Sequence, residues 1–136
     1  MANFSVLYEG ELRTKMTHLA SKTDVLTDAP VDNKGKGEVF SPTDLVSASL
    51  ASCMLTIMGI SAREHGFSID GATAAVTKVM YSSPRRIGEI HIRIQFPDIV
   101  YSGKQKKLLE LASKTCPVAY SLHPELKQMI ELIFKS

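Results

Sequence analysis

Polar and apolar residues alternate along residues 3–12 (NFSVLYEGEL) and again along residues 12–18 (LRTKMTH). Period two is the pattern of strands with one face toward a core, and Gly10 marks the expected turn between them. Asp24 to Thr27 predicts a short third strand, after the polar Ser21-Lys22-Thr23. The stretch DAPVDNKGKGEVF that follows is rich in Gly, Asp, Asn and Pro and reads as a loop. It is long for a connection in a compact domain, and long loops carry function or mobility.

At Ser41 the pattern changes to that of a helix. Ser41 is an expected N-cap, Pro42 suits the first helical position, and Asp44 stands where the reciprocal acid of a capping box belongs. The pattern continues to about His65, where Gly66 supplies the stop. About 24 residues at 1.5 Å each make a helix of roughly 36 Å. Leu45, Val46, Ala48, Leu50, Ala51, Met54, Leu55, Ile57, Met58 and Ile60 leave it apolar or small nearly all round. Such a helix is expected to be buried on every side. A chain of this length has little with which to wrap it, which predicts a homodimer that shares it.

Period two returns after Ser68. Gly71 to Met80 and Arg86 to Phe96 predict strands, with Ile90, Ile92 and Ile94 alternating against Glu89, His91, Arg93 and Gln95. Ser102 caps a predicted helix from Gly103 to about Lys114, and Thr115-Cys116-Pro117 opens a shorter one through Leu122. The tail LKQMIELIF alternates again as a last strand. The order β-β-β-α-β-β-α-α-β is α+β, with no phosphate-binding glycine loop.

Length and composition add limits rather than detail. At 136 residues and 14.9 kDa, residues 1–136 are expected to form a single domain that buries a core without a disulfide or metal. A net charge of +2, with both signs interspersed, argues against nucleic acid or a membrane surface as partner. The N-terminus MANFSVLYEGEL lacks the features of a secretory signal, and Ser and Thr residues break the longest apolar run, Leu45 to Ala62. A cytoplasmic location follows as the expectation, and there cysteines stay reduced or act in redox chemistry.

The chain has two cysteines and four histidines. No histidine makes a metal-ligand spacing with another ligand, so neither metal nor cofactor is expected. Cys116 precedes Pro117 at a helix start, where unpaired N–H groups and the helix dipole favour a thiolate; a residue chosen for its size would look the same. Cys53 stands mid-helix among small and apolar residues, where a thiol is inert unless a cation or donor reaches it. Both cysteines follow helix-start signals, and both have small neighbours that permit close approach. An arginine over one of them would stabilise a thiolate and the oxygen leaving a peroxide.

SPTDLVSASLASCM and KTCPVAYSL together resemble the OsmC/Ohr family, the osmotically induced and organic-hydroperoxide-resistance proteins, over nearly the whole chain. The resemblance implies an intertwined homodimer, with long central helices wrapped by antiparallel sheets from both subunits. It implies a peroxidase acting on organic hydroperoxides, with Cys53 as the attacking thiol and Cys116 as the resolving one. A dithiol or lipoylated protein would be the reductant. Ohr-type helices begin N-P-E, with the glutamate orienting a catalytic arginine; here Thr43 takes that position and Asp44 lies one residue on. Asp44 is then either a substitute for that glutamate or the capping acid. Arg13 is the candidate arginine in the early strands, and the loop offers only Lys34 and Lys36. The alternative is a non-catalytic dimer that binds an apolar ligand or senses oxidants.

Overall fold

The structure, a computed structural model, describes residues 1–135. Its contacts form two compact units, Met1–Val46 and a second that begins at Ser47.

The first unit is an antiparallel sheet in the order β1 (Phe4–Gly10), β2 (Arg13–His18), β3 (Thr23–Asp28). Glu11 and Leu12 form the turn, one residue beyond the expected glycine, and both adopt positive φ (55° and 61°). That left-handed pair matches the twist of the strands it joins. In the β2–β3 hairpin, Arg13 stands opposite Asp28. The long loop is well built: Gly35 N–H donates to Pro30 O, Gly37 N–H to Ala29 O, and Asp28 N–H to Phe40 O. Val6, Leu7 and Tyr8 are neighbours in β1 and so point to alternate faces, yet all three are exposed.

Helix α1 (Pro42–Glu64) begins in the first unit and continues in the second. Its start is the expected capping box: Asp44 N–H donates to Ser41 Oγ at 3.1 Å, and Ser41 N–H donates to Asp44 Oδ2 at 3.0 Å. Burial all round is not observed within the chain. Ser47, Leu50, Ala51, Met54, Met58 and Ala62 are buried, a stripe at helical spacing, whereas Val46 and Ile60 are exposed. One face alone therefore meets the core. By length and composition α1 could also cross a membrane, contrary to the reading that serines and threonines interrupt it. Those residues are too nearly neutral in hydropathy to break the apolar window.

The second unit packs α1 against β4 (Thr73–Tyr81), β5 (Arg86–Gln95) and β6 (Lys127–Ile133), with α2 (Gly103–Ser113) and α3 (Pro117–Ser121) between β5 and β6. Ile90, Ile92 and Ile94 of β5 are fully buried, while Arg93 between them is exposed, as the alternation requires. Strand β6 runs parallel to β5, so this sheet is mixed rather than wholly antiparallel. The two intervening helices form the long crossover that a parallel pair needs. Ser102 and Gln105 complete the capping box that starts α2.

Candidate functional site

Cys53 sits in the middle of α1 and is half-buried, and Cys116 is the N-cap residue of α3 and fully buried. Pro42 and the Ser41–Asp44 box start α1, and Pro117 starts α3, so the residues that shape the two helices also place the two thiols. The fold brings them together: Cys53 is among the neighbours that raise the Cys116 thiol. Both cysteines are free thiols.

The electrostatics of Cys116 overturn one expectation. A helix start favours a thiolate, yet the Cys116 thiol is pushed up from the ordinary value. Burial is the largest cause, the neighbouring Cys53 adds to it, and the N–H groups of Ala119 and Val118 oppose both without overcoming them. α3 is a single short turn, and a fully buried sulfur has lost the water that would stabilise its charge. Cys116 therefore holds its proton more tightly than an exposed thiol would.

A cavity of about 690 Å³ in the second unit has apolar lining from Met54, Ala119, Ile130 and Leu132 and polar lining that includes Glu110 and Gln128, with neither cysteine in its wall. Met54 follows Cys53 in the chain, and Ala119 is the residue whose N–H faces Cys116. The space suits a small molecule with an apolar part.

Arg13 and Asp44 belong to the first unit. Arg13 donates from Nε to Asp28 Oδ1 at 2.7 Å and from Nη2 to Asp28 Oδ2 at 2.9 Å, with a longer bond to Glu38 Oε1 at 3.3 Å. Asp28 is 1% exposed. The Arg13 hydrogen bond, the N–H groups of Glu38 and Val39, and the guanidinium charge lower its carboxyl to about 2, against burial acting the other way. The partners of Arg13 are thus Asp28 and Glu38, and Asp44 is engaged in capping α1. Lys34 and Lys36 are exposed.

Sequence reasoning missed Asp28 and Glu38 because the third strand was ended at Thr27, which left Asp28 in the loop. The available signal was the hairpin itself. Closing it between His18 and Thr23 sets Arg13 opposite Asp28, an opposite-charge cross-strand pair. Among the described residues no group of three or more His, Cys, Asp or Glu side chains could hold a metal ion.

The family model described as OsmC-like protein matches residues 35–131. No curated protein sequence matches the chain. A crystal structure from Psychrobacter arcticus, provisionally described as an osmotic stress induced and detoxification response protein, is 51% identical. It covers 98% of this chain and 96% of its own, with a TM-score of 0.93. An organic hydroperoxide resistance protein from Legionella pneumophila shares the fold at 13% identity and a TM-score of 0.75, covering 95% of this chain and 93% of its own. The organic hydroperoxide resistance protein OhrB of Bacillus subtilis does so at 19% and 0.66, covering 98% of each chain.

Proposed function

This chain belongs to the OsmC-like protein family, and from that premise we propose that it is a thiol-dependent peroxidase that reduces organic hydroperoxides to alcohols. The observation that carries this reading is the proximity of Cys116 and Cys53, two free thiols far apart in the sequence. The Cys53 thiolate attacks the terminal oxygen of the hydroperoxide. The O–O bond breaks, its electron pair leaves with the alkoxide, and a proton completes the alcohol. Cys53 is left as a sulfenic acid. Cys116 then forms the S–S bond, and its proton leaves with the displaced hydroxide as water. An external dithiol, free or on a lipoylated protein, reopens the disulfide and is itself oxidised to a disulfide.

By the family resemblance, Arg13 is the candidate for the positive charge that the thiolate and the departing oxygen need. Its bidentate hold on Asp28 supports that role, because a fixed guanidinium need not be ordered during the reaction. No resident metal or flavin takes part, since sulfur carries the electrons. The protein works as a homodimer, supported by the exposed Val6, Leu7 and Tyr8 and by the uncovered residues of α1. A compartment such as the cytosol, which keeps thiols reduced, suits this cycle.

Variants at the two cysteines test the reading. Cys53→Ser is expected to abolish peroxide consumption, and Cys116→Ser to permit a single round that stops at a sulfenic acid trapped by dimedone. Undiminished turnover in Cys53→Ser would overturn it.

A further inference from the structure

The tip of the β4–β5 hairpin holds a guanidinium in place, away from the cysteines. Tyr81 and Arg86 stand opposite each other at the end of that ladder. Val79 pairs with Glu89 and Met80 with Ile87, so Gly88 is the extra residue of a bulge. A Cβ at Gly88 would run into the Tyr81 ring, so only glycine lets the ring lie against β5. The far end of the ring is pinned as well, because its hydroxyl donates to Glu89 Oε2. The other oxygen of that acid, Oε1, accepts from His91 Nε2 at 2.7 Å.

Arg86 rests on this platform. Its guanidinium carbon lies 5.4 Å from the centre of the Tyr81 ring, within cation–π range. Nη1 donates to two carbonyls of the hairpin loop, Ser82 O at 3.1 Å and Pro84 O at 2.8 Å. Among the described residues none accepts from Nε or Nη2. Those two atoms make the side-on edge of the fork, whose parallel N–H groups match the two oxygens of a carboxylate. Such an arginine has lost much of its freedom before any ligand arrives, which lowers the cost of binding one.

Arg86 lines a cavity of about 500 Å³ together with Tyr81, Ile87, His123, Glu125 and Leu126. Ile87 and Leu126 are half-buried and form apolar wall. The Glu125 N–H donates to His123 Nδ1 at 3.1 Å, so the neutral ring carries its proton on Nε2. That proton has no acceptor among the described residues. Among the described lining residues Glu125 alone is acidic, and its charge disfavours a ligand with several negative charges.

We propose that this cavity binds a small organic monocarboxylate. Nε and Nη2 of Arg86 take its two oxygens, His123 Nε2–H adds a donor, and the apolar part lies against Ile87 and Leu126. Neither cysteine lines the cavity, so the site stands whether or not the thiols turn over peroxide.

The test titrates the reduced, isotope-labelled full chain with sodium hexanoate at constant ionic strength, followed by NMR. The backbone amides of Gly88 and Leu126 and the Arg86 Nε–H are expected to shift and to saturate. Hexanamide keeps the shape without the charge and is expected to bind at least about tenfold more weakly. A similar loss is expected for hexanoate with Arg86→Ala. Arg86→Lys keeps the charge but not the fork, and is expected to lose most of the affinity. Shifts that never saturate, or an affinity unchanged in Arg86→Ala, would overturn the proposal. Equal binding of hexanamide would mean an apolar pocket only, and equal binding of inorganic phosphate an unselective cation. Either result contradicts a monocarboxylate site. If Arg86→Ala does not fold, Arg86→Lys decides, and full affinity there contradicts recognition by the fork.

Discussion

Cys53 and Cys116 are neighbours in the fold, and burial together with Cys53 raises the Cys116 thiol above its ordinary value of 9.0. In the folded protein Cys116 therefore holds a proton at pH values where the unfolded chain loses it. The stability this confers is complete below the unfolded value and is lost as pH rises through the folded one. Iodoacetamide labelling with peptide mapping across pH 7 to 10 is expected to leave Cys116 nearly unmodified until the pH passes about 9. Labelling of Cys116 at neutral pH as fast as a free thiol would contradict this.

The box formed by Ser41 and Asp44 predicts a loss of stability rather than of chemistry. Ser41→Ala is expected to cost about 0.5–2 kcal/mol in urea unfolding, because it strips an acceptor from the first turn of α1. Asp44→Asn is expected to lower the unfolding midpoint while Cys53 keeps its rate of alkylation. A slowed Cys53 in that variant would return Asp44 to the chemistry.

Asp28 makes the fold acid-sensitive in a defined window. Its carboxyl is held at about 2 by Arg13 and backbone N–H groups, below the ordinary 3.8. The stability it contributes is complete above about pH 4 and falls as the pH drops toward 2. Urea midpoints taken at intervals from pH 6 to pH 2 are expected to decline in that window, and to decline less in Asp28→Asn. Parallel curves for the two proteins would remove Asp28 as the cause.

The apolar side chains left open on β1 and α1 predict self-association. Val6, Leu7, Tyr8 and Ile60 are 64%, 55%, 62% and 50% exposed within one chain. Sedimentation at micromolar concentration is expected to give twice the chain mass of 14.9 kDa. A monomer would contradict both the shared helix and the peroxidase arrangement built on it.

The parts legible in the sequence were those set by local physics. Alternation at Ile90, Ile92 and Ile94 identified the buried face of β5 directly. Ser41, Pro42 and Asp44 marked the start of α1, and Ser102 that of α2, because caps involve neighbours three residues apart. What stayed illegible depends on distant segments. Whether β6 runs parallel or antiparallel is decided by the crossover through α2 and α3, which period two does not encode. The helix start at Cys116 suggested an activated thiol, but burial from elsewhere in the fold outweighs the local N–H groups. The grip of Asp28 on Arg13 spans 15 positions and needed the hairpin register to be seen. The roles assigned to the two cysteines come from the family resemblance, because no local rule relates Cys53 to Cys116.

The central claim is tested most directly by adding cumene hydroperoxide to the fully reduced protein, counting thiols, and then supplying dihydrolipoamide while following peroxide. The account predicts that both thiols, Cys53 and Cys116, vanish together as one intramolecular disulfide. With the dithiol present, peroxide consumption then continues through many turnovers. Thiols that survive the peroxide, or that vanish once and are never recycled, would contradict it.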